Sequence, residues 1–400
     1  MKKYLVINAG SSSLKFSLYE MPMEKLLVNG YFEKIGMKDS FWTIKLNGDK
    51  IKREGYLSNH TDAVNMMIKE LIDNRIVSSM SEIVGVGHRV LHGGELYSSS
   101  VEITDLVLDN IKKMTKLGPL HHPGEIAGIE AMKKVFSDIK QVAVFDTAFH
   151  QTMPEDKYMY AVPYEWYQKY KVRKYGFHGT SCKYITEYMK KELNKEEVNL
   201  IICHVGSGAS ITCVKNGFGY NTSMGLTPLD GLIMRTRCGN IDPSIIKYVM
   251  DETSYDILKI DEELNNYSGM LGLCDAGDFR EVIAKVKDGD EKAILAYNMC
   301  KDSIVKYIAE YYFELNGEVD AIVFTAGILE NNPIIREELI DKLSKPMNIY
   351  LNKEINENIG YGLKFDNGLI TMGDSKVAVY VIPTNEEVMI LRDTYEVINR

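Results

Sequence analysis

Residues that could bind and transfer a phosphoryl group are spread along this chain, each beside an apolar run or in a loop of small residues. Arg89 and Arg237 supply guanidinium groups, Asp146 and Glu386 supply carboxylates, and His178 supplies an imidazole. Arginine presents a planar fork that suits carboxylate or phosphate oxygens. Phosphoryl transfer needs cations on the transferred group, a carboxylate-held Mg²⁺ and backbone groups that cradle phosphates. The set therefore favours phosphoryl transfer; it does not match a Ser-His-Asp hydrolase, and no histidines have the spacing of a zinc site.

Each of these residues also has a structural explanation. Arg89 could form a surface salt bridge, Asp146 could cap a helix, and His178 could be a hydrogen-bonded structural histidine. Arg237 could serve only to solubilise its loop. The functional prediction depends on the residues occurring together, because each one alone fits the structural explanation at least as well.

A pair of glutamates precedes the last apolar helical pattern. Thr384 and Glu387 have the spacing of a capping box, in which each side chain binds the backbone N–H of the other residue. The spacing predicts that Glu387 caps the closing helix. Glu386 is then the carboxylate available to a metal ion or a ligand.

Three turns of small residues follow apolar runs. The first leads from Asn8 to Lys15 through Gly-Ser-Ser-Ser, the second spans Gly206–Ser210, and the third spans Thr325–Asn331. Small residues let the backbone approach a ligand, and their N–H and hydroxyl groups can line one concavity. The turns predict phosphate cradles, although the first one alone would also fit an ordinary hairpin turn. The sequence has neither GxxxxGK(S/T) nor a GxGxxG that opens a helix, so a Walker loop and a dinucleotide fingerprint are excluded.

The elements that must position these residues alternate between strand-like and helix-like patterns, which predicts an α/β fold. Strands are expected at residues 4–8, 12–19, 27–36, 41–53, 83–86, 141–145, 199–205, 319–325 and 377–382. Helices are expected at residues 62–78, 124–136, 181–194 and 289–315, with a closing helix at the C-terminal end. Residues 200–214 repeat the strand-turn-strand pattern of the first turn, which indicates two related halves.

Whole-chain properties narrow the classes of function. The length of 400 residues predicts about two or three domains. With a net charge of −9, no basic excess is available for a nucleic-acid backbone. No apolar run approaches the roughly 18–20 residues that span a bilayer, Leu5-Val6-Ile7 is too short for a signal peptide, and the six cysteines form no CxxC pair. We expect a cytoplasmic protein with reduced thiols that binds neither nucleic acid nor membrane.

A series of short segments, taken in order, resembles the acetokinase family of the acetate and sugar kinase/Hsp70/actin superfamily over essentially the full chain. The segments are Asn8–Lys15, Gly87–Arg89, Pro119–His121, Phe145–His150, Tyr175–Ser181, Thr222–Gly225, Thr227–Leu229, Phe324–Ile328 and Ile382–Glu387. The resemblance implies a duplicated two-domain actin-like ATPase (ribonuclease H-like) fold with a central interdomain cleft. The implied N-terminal domain spans 1–150 and is completed by the C-terminal helix at about 385–400; the C-terminal nucleotide-binding domain spans 151–384.

The implied activity is reversible, Mg²⁺-dependent transfer of the γ-phosphoryl group of ATP to acetate, giving ADP and acetyl phosphate by direct in-line transfer. Mn²⁺ is an alternative ion, and a homodimer is expected. The implied catalytic residues are Arg89, Asp146, His178 and Arg237, and the implied metal-supporting residues are Asn8 and Glu386. Both arginines would bind acetate and the transferred group, the histidine would hydrogen-bond that group, and the aspartate would orient substrate or metal.

The resemblance also assigns the two ends of the substrate site. The implied nucleotide-binding residues are Ser11, Ser13, Lys15, His204, Val205, Gly206, Ser207, Gly208, Asp278, Phe279, Arg280, Gly327, Ile328, Leu329, Glu330 and Asn331. The implied substrate pocket consists of Arg89, Leu91, Leu120, Phe177 and Pro228. Leu91 stands where the family commonly has valine, so the pocket should be narrower. We therefore expect acetate to be preferred over propionate by ~1–3 kcal/mol, the value of one methylene.

Four positions depart from the family pattern. Ser207 and His122 replace asparagines, and Arg235 and Leu329 replace glycines. We expect a leucine in a nucleotide loop either to crowd the purine or to require an unfavourable φ. Weaker ATP binding, or a change of phosphoryl donor towards pyrophosphate or orthophosphate, would follow.

Two other functions remain open from the sequence. A propionate kinase would share nearly all of these motifs. An inactive nucleotide-binding regulatory protein could use the same fold, but the joint presence of Arg89, Asp146, His178, Arg237 and Glu386 argues against it.

Overall fold

The computed structural model describes residues 2–119, 121–360 and 367–400. The chain divides into two compact units, one formed by Met1–Gln151 with Asn385–Arg400 and the other by Thr152–Thr384. Each unit contains one mixed β-sheet with helices, so the predicted α/β class is confirmed.

The strands are β1 (Lys2–Ala9), β2 (Leu14–Met21), β3 (Lys25–Glu33), β4 (Phe41–Leu46), β5 (Asp49–Glu54), β6 (Ile83–Val90), β7 (Val101–Glu102), β8 (Lys140–Phe145), β9 (Leu200–Val205), β10 (Ala209–Lys215), β11 (Phe218–Thr222), β12 (Ala321–Thr325) and β13 (Ala378–Val381). The α-helices are α1 (His60–Asp73), α2 (Asp105–Lys113), α3 (His122–Val135), α4 (Glu155–Tyr158), α5 (Tyr164–Tyr170), α6 (Gly179–Glu192), α7 (Ser244–Glu252), α8 (Ile257–Asn266), α9 (Gly269–Cys274), α10 (Phe279–Lys287), α11 (Glu291–Glu314), α12 (Ala326–Asn331), α13 (Pro333–Met347), α14 (Lys353–Asn358) and α15 (Glu386–Asn399).

The two sheets share a topology. The first has the order β5-β4-β3-β2-β1-β6-β8-β7 and the second the order β11-β10-β9-β12-β13. In each, a central strand pairs antiparallel with the strand that follows it in the chain and parallel with a later strand, as β1 does with β2 and β6 and as β9 does with β10 and β12. The internal repeat predicted from residues 200–214 is therefore a repeat of sheet architecture.

Alternating side chains of β1 contribute to two hydrophobic core clusters of the first unit, one on each face of the sheet. Leu5 and Ile7 pack with the apolar residues of α1 and α3 on one face of the sheet. Tyr4 and Val6 pack with Ile390 and other residues of α15 on the opposite face. Because successive residues of a strand point to opposite faces, one strand can serve both cores.

The central strands of the second unit are mostly apolar because they are buried under helices. β9 and β12 are buried along their whole length. The helices α6, α11 and α12 contact β9. Continuous apolar runs of this kind are typical of parallel strands that are buried on both sides.

The structure corrects one helix boundary. The predicted helix at 62–78 ends at Asp73, where Asn74 forms the C-terminal cap and Arg75 adopts a φ of +56°. A residue in the left-handed region cannot continue a right-handed helix. Val77 is buried after the turn, so the apolar residues beyond Arg75 belong to the core without belonging to the helix.

The region between Ser244 and Lys287 contains four helices, α7 to α10, for which the sequence analysis made no prediction. Within the described ranges, no helix combines the length and the apolar character needed to cross a membrane.

Candidate active site

The first unit places Arg89 and Asp146 side by side. Arg89 lies near the end of β6 and Asp146 follows β8, and these two strands are parallel neighbours. The Arg89 guanidinium donates through Nη2 to Oδ2 of Asp146, whose side chain is fully buried. The Asp146 N–H donates to the Val90 carbonyl at 2.9 Å. The Arg89 side chain keeps 18% of its surface exposed. Its guanidinium is therefore fixed by Asp146, while part of the side chain remains accessible to solvent.

Three carboxylates act on the Arg89 guanidinium. Burial alone would lower the pKa of Arg89, but Asp146, Glu386 and Glu125 raise it well above its usual range. Burial raises the pKa of the Glu386 carboxyl, an effect that Arg89 opposes and Asp146 reinforces. Burial also raises the pKa of Glu125, to about 7. The guanidinium is therefore always charged, and three acidic side chains lie close enough to act on it.

A small cavity of about 170 Å³ lies next to this ion pair. Its polar lining comes from Asn8, Lys15, Arg89, Glu386 and Glu387. Asn8 and Lys15 face each other across the β1–β2 pair, and Glu386 is the first residue of α15. The cavity is thus lined by residues that flank the first Gly/Ser turn of the chain and by residues at the start of the last helix.

The donor set of this cavity fits Mg²⁺. An amide oxygen and a carboxylate are hard ligands of the type that the ion prefers, and it commonly uses one or two carboxylates together with substrate phosphates. In the parts of the chain that the structure describes, no group of three or more His, Cys, Asp or Glu residues could hold a metal ion by protein ligands alone. Asn8 and Glu386 would therefore hold the ion only in combination with a phosphate-bearing substrate.

The predicted capping box is wrong. Asn385 is the N-terminal cap of α15, and its side chain accepts the Val388 N–H at 3.1 Å. Glu387 instead accepts hydrogen bonds from Ser17 Oγ at 2.6 Å and from the Tyr19 hydroxyl at 3.3 Å. An asparagine in the right position satisfies the helix end, because its amide oxygen accepts as well as a threonine hydroxyl.

The Gly-Ser-Ser-Ser turn is held by its backbone. The Gly10 N–H donates to Ser13 O at 2.8 Å, and the Gly10 carbonyl accepts from His60 Nε2 at 2.8 Å. A further bond joins the Ile35 N–H to the Ser12 carbonyl at 2.9 Å. Ser11 is exposed in the turn and Ser13 is half-buried, so the loop is fixed while its serines remain at the surface.

In the second unit, His178 lies at the N-terminal cap of α6 with a φ of +57°. A non-glycine residue in the left-handed region costs free energy, of order 1–3 kcal/mol, and such residues are typical of functional sites. His178 Nδ1 lies 2.9 Å from Ser210 Oγ, and its ring stacks on the ring of His204 at 4.1 Å. The His178 ring is therefore positioned by a hydrogen bond at Nδ1 and by stacking on one of its faces.

The Nε2 edge of His178 and the guanidinium of Arg237 both approach Gly208. A Cβ atom added to Gly208 would lie 3.2 Å from His178 Nε2 and 3.7 Å from Arg237 Nη1. The Arg237 guanidinium donates to the Pro228 carbonyl at 2.9 Å. An imidazole nitrogen and a guanidinium thus converge on the backbone of the second Gly/Ser turn, where only a glycine leaves room for both.

Arg237 differs from Arg89 in its partners. In the described ranges it forms no ion pair, and its guanidinium donates to the Pro228 carbonyl and to the Met234 thioether. Burial lowers its pKa. Partial burial of a cation without a counter-ion costs free energy, and an anionic ligand relieves that cost.

A larger cavity of about 540 Å³ occupies the second unit. Nine of the predicted nucleotide-binding residues line it, namely Val205, Gly206, Ser207, Asp278, Phe279, Arg280, Gly327, Ile328 and Asn331. Residues that the sequence analysis did not assign to a nucleotide also line it, namely Ala209, Ile233, Met234, Arg235, Met270, Gly277, Cys300 and Asn332. These residues come from separate segments, and most are apolar or small, so no local pattern could have identified them.

Leu329 does not occupy this cavity. Its side chain is fully buried, it does not line the cavity wall, and its φ is not positive. The expectation that it crowds the purine or strains the loop is not supported by this placement. Helix α12 buries Leu329 while Gly327 and Ile328 face the cavity.

Glu330 also turns away from the cavity and binds backbone. Its carboxylate accepts the Ala326 N–H at 2.6 Å, the Thr325 hydroxyl at 3.3 Å and the Thr384 N–H at 3.3 Å. Ala326 has a φ of +66°. The carboxylate therefore holds the loop before α12 in a conformation that an alanine does not favour.

The acyl-pocket residues lie in both units and are described separately. Leu91 is 4% exposed and follows β6 directly. Phe177 is buried beside His178, and Pro228 supplies the carbonyl that binds Arg237. Leu120 lies outside the described residues.

Two mixed sheets of the same topology, each in a unit that carries a small-residue turn and a half-buried arginine, are consistent with a phosphotransferase of the actin-like ATPase fold. The sequence profile described as "Acetokinase family" matches residues 3–392. The chain belongs to the acetokinase family.

Relatives and solved structures agree with this membership. The chain is 49% identical to the acetate kinase of Bacillus cytotoxicus over 98% of each chain. Its fold is similar to the crystal structure of Porphyromonas gingivalis acetate kinase, with a TM-score of 0.92, 40% identity and full coverage of both chains. It is equally similar to a propionate kinase from Francisella tularensis, with a TM-score of 0.92, 41% identity and coverage of 99% of this chain and 100% of the other.

Proposed function

We propose that this chain is an acetate kinase, which transfers the γ-phosphoryl group of ATP reversibly to acetate. The observation that carries the proposal is the pair of half-buried arginines, one in each unit. Arg89 is fixed by Asp146, and Arg237 has no carboxylate partner in the described ranges and lies beside His178 Nε2 at Gly208. Family membership and relatives of about half-identical sequence that are named acetate kinase support the same activity.

The reaction needs little covalent help from the protein. An acetate carboxylate oxygen attacks the γ-phosphorus in line, the new O–P bond forms, and the bond to the ADP oxygen breaks. Arg89 would bind the acetate carboxylate, and Asp146 would keep its guanidinium in one orientation. Arg237 and His178 would bind the equatorial oxygens of the transferred group, where charge accumulates. Ser210 holds the other imidazole nitrogen of His178, so the hydrogen bond to the phosphoryl group is pre-organised.

The cavity of the second unit would hold the nucleotide. Its volume of about 540 Å³ lies in the range typical of small-molecule sites. The turn at Gly206–Ser207 and the start of α12 supply backbone groups at one wall, and Asp278 and Arg280, paired at 2.6 Å, contribute the charged part of the lining. Ser11, Ser13 and Lys15 would contact phosphates from the first unit, while His204, Gly208, Leu329 and Glu330 would act by supporting the loops.

Asn8 and Glu386 would hold Mg²⁺, with Mn²⁺ as the alternative ion. The bound ion would neutralise phosphate charge during transfer. Lys15 and Arg89 line the same cavity and would limit its net negative charge.

We further propose that the two compact units are the domains of the enzyme and that it works as a cytoplasmic homodimer. The helix α5 and Val162, two residues before it, expose four apolar or aromatic side chains, namely Val162, Tyr164, Trp166 and Tyr170. A cluster of exposed aromatic residues is typical of protein interfaces. The six cysteines are all free thiols, which suits a reducing compartment. Light scattering on a size-exclusion column would show twice the mass of one chain, and a monomer would overturn the dimer.

Detection of acetyl phosphate as its hydroxamate tests the proposed activity. Purified chain with ATP, Mg²⁺ and acetate should form the hydroxamate, and omission of ATP or acetate should abolish it. ATP, GTP and pyrophosphate should be compared as donors, because the family pattern is altered at Ser207, Arg235 and Leu329. Formation of product from pyrophosphate alone would replace the ATP assignment, and no product from any donor would refute a kinase.

Propionate is the competing acceptor, since a structurally similar protein is named a propionate kinase. Leu91 lies two residues after Arg89 and is nearly fully buried. The methylene by which it exceeds valine therefore lies in a closely packed region. We expect kcat/KM for acetate to exceed that for propionate by roughly 10–200-fold. Equal values for the two acids would remove the argument from Leu91.

A further inference from the structure

Glu125 is a buried carboxylate that the proposed mechanism does not use. It lies in the first turn of α3, with 2% of its side-chain surface exposed. The Leu91 N–H donates to both of its carboxylate oxygens, at 3.1 Å and 3.2 Å. Burial of a carboxylate costs free energy unless hydrogen bonds or a cation compensate it. The position of Glu125 beside one backbone N–H at the end of the substrate-binding strand therefore needs an explanation.

Leu91 is the first residue after β6, and its N–H lies beyond the regular pairing of that strand with β8. Val90 is the last residue of the strand, and its carbonyl is bound by the Asp146 N–H. If Glu125 did not accept the Leu91 N–H, that donor would be buried without a partner. An unsatisfied buried donor costs enough to shift the backbone.

The side chain of Leu91 is held by the same segment of chain. A Cβ atom added to Gly118 would lie 3.0 Å from Leu91 Cδ2 and 3.0 Å from His122 Cδ2. The His122 ring is fully buried, lies 4.0 Å from the Glu125 carboxylate through Nε2, and is anchored by Nδ1 at 3.2 Å from the Ile111 carbonyl. Glu125 therefore holds Leu91 at its backbone, and Gly118 packs against its side chain.

Arg89 connects Glu125 to the charged part of the site. Arg89 lies on β6 two residues before Leu91, and the Glu125 carboxylate is one of the charges that act on its guanidinium. A displacement of Leu91 would move the end of the strand that carries the acetate-binding cation.

We propose that Glu125 is a positioning residue that sets acyl-chain selectivity, because its hydrogen bonds to the Leu91 N–H hold the wall of the acyl pocket at the end of β6. This inference rests on the proposed function, since it takes Leu91 to be part of that pocket. Glu125 does not touch the substrate and acts through Leu91.

Three variants test the inference. Glu125→Ala removes the acceptor, and Glu125→Gln keeps an acceptor oxygen without the charge. Glu130→Ala is the matched control, because Glu130 lies on the exposed side of the same helix and pairs with Lys112. The measurements are kcat and KM for acetate, propionate and ATP, with a thermal unfolding curve for each variant.

For Glu125→Ala we expect the KM for acetate to rise about tenfold and the acetate-to-propionate ratio of kcat/KM to fall about tenfold, because a loosened wall admits the longer acid. The KM for ATP should stay within about twofold, since the nucleotide does not contact this segment. Glu125→Gln should keep the ratio within about twofold of the unchanged chain, because an amide oxygen also accepts an N–H. The Glu130→Ala variant should match the unchanged chain in every parameter.

An unaltered acyl ratio in Glu125→Ala overturns the inference, and so does an equal loss in Glu125→Gln, which would make the charge responsible. Should Glu125→Ala not fold, Glu125→Asp takes its place, since a carboxylate one methylene shorter withdraws from the N–H and should lower the ratio in the same direction. Failure of the proposed function is a separate result, because the unchanged chain itself would then form no acyl phosphate.

Discussion

The imidazole rings of His178 and His204 stack with their centroids 4.1 Å apart and their planes inclined by 19°. Each ring has its own hydrogen-bond partner, Ser210 Oγ at 2.9 Å for His178 and Ser181 Oγ at 2.9 Å for His204. Ser181 Oγ lies in turn 2.7 Å from Thr384 Oγ1. The histidine that faces Gly208 is therefore held by a stack of side chains from β9, β10 and α6.

Ser210→Ala should lower kcat about tenfold with little change in the KM for acetate or ATP, because a loosened imidazole weakens a contact made mainly in the transition state. Steady-state kinetics measure this split. Ser244→Ala, an exposed serine at the start of α7, is the control. A rise in KM without a fall in kcat would show that His178 binds the ground state instead.

Arg237 and Arg89 should respond differently to removal. Arg237→Ala should lower kcat by about 10²–10³-fold, the usual loss for one transition-state charge contact, while the unfolding temperature stays constant or rises. No carboxylate in the described ranges loses an ion-pair partner by that change, and a half-buried cation that forms no ion pair there is removed.

Arg89→Ala should lower both activity and stability. It leaves Asp146 fully buried without its cation, which typically costs about 3–5 kcal/mol. Calorimetry and kinetics on both variants separate the two cases. Equal destabilisation by the two substitutions would contradict the difference in their partners.

Glu386→Gln should raise the Mg²⁺ concentration needed for half-maximal activity by about tenfold or more, because a carboxylate ligand is replaced by a weaker amide. Titration of Mg²⁺ at fixed ATP measures it. Glu387→Gln is the matched control, since that carboxylate accepts hydrogen bonds from Ser17 and Tyr19. If Glu387→Gln alone altered the Mg²⁺ requirement, the two glutamates would have to be exchanged in the proposal.

The stability of the protein should fall as the pH rises from about 5 to 8, in part because of Glu125. Burial raises the pKa of this carboxyl from 4.5 to about 7, so the folded state binds the proton more tightly than the unfolded state. The resulting stabilisation is fully present below pH 4.5 and is lost as the pH passes 7, up to about 3 kcal/mol.

Glu125→Gln cannot ionise and should show a shallower pH dependence of unfolding. Urea unfolding of both chains at several pH values gives the difference. Parallel pH profiles of the two chains would show that Glu125 is ionised throughout.

Leu329→Ala should destabilise the chain by about 2–5 kcal/mol, as expected for a cavity left by a fully buried leucine. The KM for ATP of the folded variant should stay within about twofold, because the side chain does not line the nucleotide cavity. Ile328→Ala on the same helix is the comparison, since Ile328 does line it and should raise the KM for ATP.

The sequence alone was sufficient to predict a turn or a strand end where the polar residues and the backbone feature that positions them lie in one short segment. The turns at Gly10 and Gly206 were recognisable because small residues follow an apolar strand, and Asp146 because an acid ends a buried one. The repeated strand-turn-strand pattern was likewise enough to predict the shared topology of the two sheets.

The sequence was insufficient where a residue's role depends on what surrounds it in three dimensions. Leu329 was taken for a loop residue at the cavity, yet one turn of helix buries it. Glu387 was assigned to a cap that Asn385 supplies, because capping spacing says nothing about the Ser17 hydroxyl some 370 positions away. Glu125 has no local signature at all, since its partner Leu91 lies 34 residues earlier.

The packing of α15 on β1, β6 and β8 has a consequence for how the protein is made. The face of the first sheet that carries Tyr4, Val6 and Val144 is covered by Ile390 and Leu391. During synthesis the strands that form that apolar face are translated long before α15, the helix that packs on it. The face should therefore stay exposed to solvent in the nascent chain until α15 leaves the ribosome. Chaperone binding, and aggregation when translation stops early, should concentrate on this face.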